Sequence, residues 1–234
     1  MRTLLLILIF VVLLSANVVF AGIVIDCPYP NTKKIDGLLD DWDVNSFTHI
    51  PHDKGPLKGR DDRDISCDFA TAADDKYLYV AAIISDDKLI YGKINDYTED
   101  SLEIYIDANN KKTRYYEKDD AQIGIPAINI GLHNISNPRL YSFGGGKNTG
   151  TRVAAVRSKN GWIVEAAIPF SNANWKIKPA VGKSIGFNLQ VNDNDRNKGR
   201  DHQLVWSDLD TNNESWQSTA VFGKLVFTEK KLKK

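Results

Sequence analysis

Apolar and polar residues alternate with a period of two along most of this chain. Leu102, Ile104 and Ile106 alternate with Glu103, Tyr105 and Asp107. Trp162, Val164, Ala166 and Ile168 alternate with Ile163, Glu165 and Ala167, and Ile185, Phe187, Leu189 and Val191 with Gly186, Asn188, Gln190 and Asn192. Each run predicts a half-buried strand, because successive side chains of an extended backbone point to opposite faces. Tyr77 to Ile84 is apolar on both faces, as a central strand of a packed sheet requires. Further strands are predicted at 65–72, 151–157, 203–206 and 222–227. Asp74-Asp75, Asp107-Ala108-Asn109-Asn110 and Lys159-Asn160-Gly161 supply the turns. No long amphipathic helix, repeat or linker interrupts the pattern. The expectation is all-β: one antiparallel, jelly-roll-like β-sandwich domain over residues 22–229.

Three segments fall outside that domain or constrain it. Arg2, the apolar run Leu4 to Leu14 and Val19-Phe20-Ala21 have the order of a signal peptide over residues 1–21, with an uncleaved anchor as the alternative. The run is short for a membrane span and no second one follows, so the mature chain is expected to be secreted, periplasmic or on the cell surface. Residues 230–234 form a basic tail. Two cysteines, Cys27 and Cys67, are expected to pair in an oxidising compartment, closing a loop worth roughly 4 kcal/mol on the chain-entropy account. The alternative is two buried thiols.

Charge excludes some partners. The chain carries 30 basic and 30 acidic residues, with no bias toward nucleic acid or an anionic membrane. Gly182-Lys183-Ser184-Ile185-Gly186 spells a nucleophile elbow, but a strand follows where a helix is needed. Gly144 to Thr149 lacks the hydroxyl and helix of a phosphate loop. His49, His52, His133 and His202 show no metal-ligand spacing and read as surface residues; a haem site would need two of them, such as His133 and His202, to meet in space. Glu103 and Glu165 lie in strands without any indicated separation, so glycoside hydrolysis has no support. The faces Asn188-Gln190-Asn192 and Glu103-Tyr105-Asp107 offer paired donors and acceptors for vicinal hydroxyls. Tyr97, Trp175 and Trp216, in polar contexts, offer flat apolar rings.

Five segments, taken in order, resemble family 9 carbohydrate-binding modules and their DOMON-like relatives. They are Ile35-Asp36-Gly37 with Asp41-Trp42; Asp64-Ile65-Ser66 through Leu78-Tyr79-Val80 to Asp86-Asp87; Asp100 to Asp107; Gly161 to Pro169; and Gly182 through Asn192-Asp193, Trp206 and Trp216 to Phe222-Gly223. The resemblance implies a β-sandwich, often with structural calcium, that holds a terminal sugar between two aromatic rings without cleaving it. By position the rings are Tyr97 and Trp216, and the hydrogen-bonding groups Glu103 and Asn213. The family's tryptophan is replaced by Tyr97, and its arginine near Gln122 to Ile125 is missing. A structural or protein-binding module is the competing expectation. Asn134-Ile135-Ser136 and Asn213-Glu214-Ser215 match glycosylation acceptors.

Asp193, Asp195 and Asn197 follow the rhythm of a calcium loop, but Lys198 occupies its glycine position and Leu204 its final glutamate position. A hydrated hairpin loop and a structural calcium site through Asp193 and Asp195 both remain open.

Overall fold

The structure, a computed structural model, describes residues 22–92, 96–135, 138–144 and 149–230. The signal peptide over 1–21 and the tail beyond Lys230 lie outside the described residues, as do 145–148 of the glycine-rich loop and Ser136 of the first acceptor site.

Among the described residues, twelve strands form two six-stranded sheets. They are β1 (Val24–Tyr29), β2 (Thr48–Ile50), β3 (Ile65–Ala73), β4 (Tyr77–Asp86), β5 (Ser101–Asp107), β6 (Asp120–Pro126), β7 (Leu132–Ile135), β8 (Arg152–Ser158), β9 (Gly161–Pro169), β10 (Ser184–Asp193), β11 (His202–Val205) and β12 (Gly223–Glu229). The first sheet runs β1-β12-β10-β5-β6, with β11 also paired to β10; the second runs β2-β3-β4-β9-β8-β7. Every pairing is antiparallel except β1 with β12. β12 pairs with the first half of β10 and β11 with its second half, while β5 runs along the other side. No helix among the described residues is long and apolar enough to cross a membrane.

The core lies where the period-two pattern places it. Leu102, Ile104 and Ile106 of β5 and Ile185, Phe187, Leu189 and Val191 of β10 face the buried side chains of β3, β4 and β9. Phe69, Phe187 and Trp206 pack ring against ring at its centre.

The cysteines are not bridged: Cys27 and Cys67 are both free and buried. β1 and β3 belong to opposite sheets, and Thr71 of β3 donates to the Asp26 carbonyl of β1, so the strands lie close without their cysteines joining. Both side chains fill the core as small apolar groups, and burial pushes both thiols well above their ordinary range. Trp175 is likewise core rather than a ligand platform: it is buried, its indole N–H donating to the Pro169 carbonyl.

Candidate functional site

The outer face of the first sheet is polar yet covered. Glu103, Tyr105, Asn188, Gln190, Asn192 and Gln203 are each at most 1% exposed. At its centre the Glu103 carboxylate accepts from Gln122 Nε2 (2.8 Å), Tyr141 Oη (2.9 Å) and Tyr105 Oη (2.5 Å). Burial first, and the Glu103 charge second, push the Tyr105 and Tyr141 hydroxyls well above the ordinary phenol range. Both therefore remain donors, as the carboxylate requires. Gln203 Nε2 donates to Gln190 Oε1 and to Asn213 Oδ1, each at 2.8 Å, and Gln190 Nε2 donates to Asp210. Gln203 Oε1 is buried without a partner.

Sequence far away builds this network. Gly124 of β6 lies under Tyr141: a Cβ there would sit 2.2 Å from the ring. The missing side chain lets the ring lie on the sheet and bring its hydroxyl to Glu103. Asn213 adopts a left-handed φ of 57°, which asparagine tolerates better than most residues.

Two exposed rings belong to this face. Tyr97 is 51% and Trp216 is 41% exposed. Trp216 meets Phe143 edge-on at 5.6 Å, and the Phe143 carbonyl accepts from the Gln122 backbone N–H. Ser215, beside Trp216, bonds Asn188 and Asp210. Tyr97 is tied to the same floor by Arg200, whose guanidinium lies 5.4 Å from the ring centroid and donates to Asn192 Oδ1 at 3.0 Å. Of the four residues expected to contact sugar, Tyr97 and Trp216 present open faces, Asn213 is half-buried, and Glu103 is buried within its hydrogen bonds. Arg200 was not foreseen, because it lies in the loop read as a hydrated hairpin or a calcium site. A groove of about 860 Å³ runs elsewhere, past Asp26 and Thr228 of β1 and β12 and Thr48 of β2, and shares no residue with this face.

The acidic loop is not a simple hydrated hairpin. Asp193 closes β10 at 1% exposure, and neither carboxylate oxygen has a hydrogen-bond partner. It converges with Asp86, at the end of β4, and Asp100, just before β5, all three buried. Burial, with the repulsion of neighbouring carboxylates, raises Asp86, Asp100 and Asp193 well above the ordinary carboxylate range. Three converging carboxylates in so poorly solvated a place suit a hard divalent cation with oxygen ligands. Asp195 belongs to a second group, with Asp64 and His202. Thus the two aspartates expected to share one ion stand in adjacent groups, and His202 is no ordinary surface histidine. His133 Nδ1 lies by the Asp36 carbonyl and His202 Nδ1 by that of Lys58, so each ring has its own backbone partner. The two groups adjoin the ring-lined face: Asn194 donates from its side chain to the Thr98 carbonyl and from its backbone to Asp100.

Comparison with known proteins matches this architecture. The profile described as "Carbohydrate family 9 binding domain-like" matches residues 35–230. Endo-1,4-beta-xylanase A of Thermoanaerobacterium saccharolyticum is 43% identical over 158 residues, covering 67% of this chain and 12% of that protein. Exoglucanase XynX of Acetivibrio thermocellus is 41% identical over 206 residues, covering 85% of this chain and 17% of that protein. The chain therefore spans less than a fifth of the length of these relatives. A family 9 carbohydrate binding module from Caldicellulosiruptor kristjanssonii, solved with cellotriose, shares the fold with a TM-score of 0.72 at 24% identity, over 89% of this chain and 95% of that one. With a family match over most of its length and relatives above 40% identity, the chain belongs to the carbohydrate family 9 binding domain-like family.

Proposed function

We propose that this protein binds carbohydrate without cleaving it, holding the end of a polysaccharide or oligosaccharide between Tyr97 and Trp216. The observation that carries this reading is the pair of exposed rings beside a continuous polar floor. The rings supply apolar faces for the C–H side of a pyranose. Asn213 and the Arg200 guanidinium supply acceptors and donors for its hydroxyls, with Gln203 holding the Asn213 amide in place from beneath. Glu103 acts from below, orienting Gln122, Tyr105 and Tyr141. Family membership supports the same reading, since a related module has been solved with cellotriose and with glucose. The matched relatives named as xylanases and an exoglucanase carry this segment as a small part of their length, which supports a binding role outside the cell rather than a catalytic one. The test is calorimetric titration with glucose, cellotriose and xylotriose. Saturable binding to at least one is expected. Absence of binding to all three and to a wider glycan array would overturn the reading and favour a structural or protein-binding module.

The same proposal includes a structural calcium ion at Asp86, Asp100 and Asp193. Its support is that the Asp193 carboxylate is buried without a partner. A bound ion would offset the mutual repulsion of the three carboxylates and hold together the ends of β4, β5 and β10. Melting curves with calcium and with chelator test it, and identical midpoints would remove the ion from the account.

A further inference from the structure

We propose that Asp64, Asp195 and His202 form a second cation site, for a borderline divalent metal such as Zn²⁺ or Mn²⁺, with Asp193 bridging to the calcium group. The argument starts from the imidazole. His202 Nδ1 lies 2.8 Å from the Lys58 carbonyl oxygen. A carbonyl can only accept, so Nδ1 carries the proton and the ring is fixed in orientation. A second nitrogen held in this way is the arrangement found behind metal-bound histidines. Nε2 then faces Asp64 Oδ2 at 3.5 Å, Asp195 Oδ2 at 3.8 Å and Asp193 Oδ2 at 3.9 Å.

Those distances decide between two states of the ring. An imidazolium N–H paired with a carboxylate closes to about 2.8 Å on one oxygen. Here the nitrogen stands off from three at nearly equal range. Ligand atoms about 2.1 Å from one ion lie roughly 3.0–3.4 Å from each other, so each nitrogen–oxygen gap here stands no more than about half an ångström outside that range. Asp193, 1% exposed with both oxygens unpartnered, turns its Oδ2 toward His202, so one carboxylate can face both groups. No hydrogen bond among the described residues accounts for that oxygen.

The donor set selects the metal class. One imidazole nitrogen with carboxylate oxygens suits Zn²⁺ or Mn²⁺ and disfavours Ca²⁺, which takes oxygen. Asp64 is positioned for the role: Arg60 holds its Oδ1, while Oδ2 accepts the Arg60 backbone N–H and faces the histidine. The side chains of His202 and Asp195 are 18% and 19% exposed, which leaves the ion a path from solvent. Asp195 and His202 flank the loop that also carries Arg200 to Tyr97.

The experiment uses the full chain freed of metal by chelator and dialysis, then titrated separately with Co²⁺, Zn²⁺ and Ca²⁺. Wild type should take one equivalent of Co²⁺ with visible absorption bands, and Zn²⁺ should displace it. His202→Gln should weaken Co²⁺ and Zn²⁺ at least tenfold while leaving Ca²⁺ binding within twofold. Should His202→Gln lose its fold, added Mn²⁺ must broaden the His202 ring resonance of wild type selectively over those of His49 and His133. Equal Co²⁺ binding by wild type and a folded variant, Ca²⁺ as the only ion bound, or uniform broadening overturns the proposal. Sugar affinity is a separate measurement, so this site can fail while carbohydrate binding stands.

Discussion

Replacing Trp216 by alanine should cost most of the sugar affinity and little of the fold. The indole is 41% exposed, and its ring contact is the edge of Phe143. A pyranose stacked on its open face removes about 90 Å² of apolar surface from water, counting ring and sugar together. At ~25 cal/mol per Å² that is about 2 kcal/mol, or roughly a thirtyfold loss in affinity. Truncating a half-exposed side chain with few partners should lower stability by about 1 kcal/mol at most. Titration calorimetry with cellotriose, beside a melting curve of the same sample, separates the two effects. Tyr97→Ala should lose less than Trp216→Ala, because the phenol is smaller and Arg200 lies against its ring. An affinity within threefold of wild type at an unchanged melting midpoint would refute the stacking argument for Trp216.

Three further outcomes follow from the buried ionisable groups and thiols. In metal-free protein, Asp193→Asn should raise the melting midpoint by roughly 4–8 °C, about 2 kcal/mol, by removing one of three converging carboxylates. It should also abolish the stabilisation by calcium; a lower midpoint with the calcium response intact would contradict the assignment. Burial raises Asp120 to about 7, whereas an unfolded carboxyl titrates near 4. Between those values the unfolded chain releases its proton first, so this group's contribution falls as pH rises from about 4 through 7. Asp120→Asn, which keeps an acceptor for the Glu117 N–H, should match wild type at pH 4 and exceed it by roughly 2–4 kcal/mol at pH 8. A gap that does not change with pH in denaturant melts refutes this. Finally, Cys27 and Cys67 should resist alkylation in native protein and react in denaturant without reductant, as mass spectrometry reads directly; a disulfide mass would contradict the fold.

The strands that alternate strictly were legible residue by residue. Those beginning at Ser101, Gly161 and Ser184 lie within one or two residues of where their apolar positions put them. Val24–Tyr29 and Thr48–Ile50 were not legible. The first carries Asp26 and Pro28 among its apolar residues, and the second is too short to show a period. The floor misled in a different way. Asn188, Gln190, Asn192 and Glu103 read as a solvent-facing polar row, and they do point outward. Tyr141, Ser215 and Asp210 come from distant loops to cover them, and nothing local announces a cover of that kind. The carboxylate groups show the same limit. Asp64, Asp86, Asp100 and Asp193 stand at or just before strand ends spread over more than half the chain. Only Asp193 and Asp195, close enough to resemble a loop motif, could be noticed together.

The parallel pairing of β1 with β12 bears on how the molecule comes into being. Val24 pairs with Lys224 and Tyr29 with Glu229, so the first strand of the domain lies against the last. During synthesis β1 emerges early and has no sheet partner until β12 follows, about two hundred residues later. The β3-β4 hairpin can form sooner, because its strands are nearly adjacent in the chain. Closing so long a loop before its contacts compensate is slow. The first sheet is therefore completed only after β12 has been made, so a chain cut short before Gly223 would leave β1 without its sheet partner.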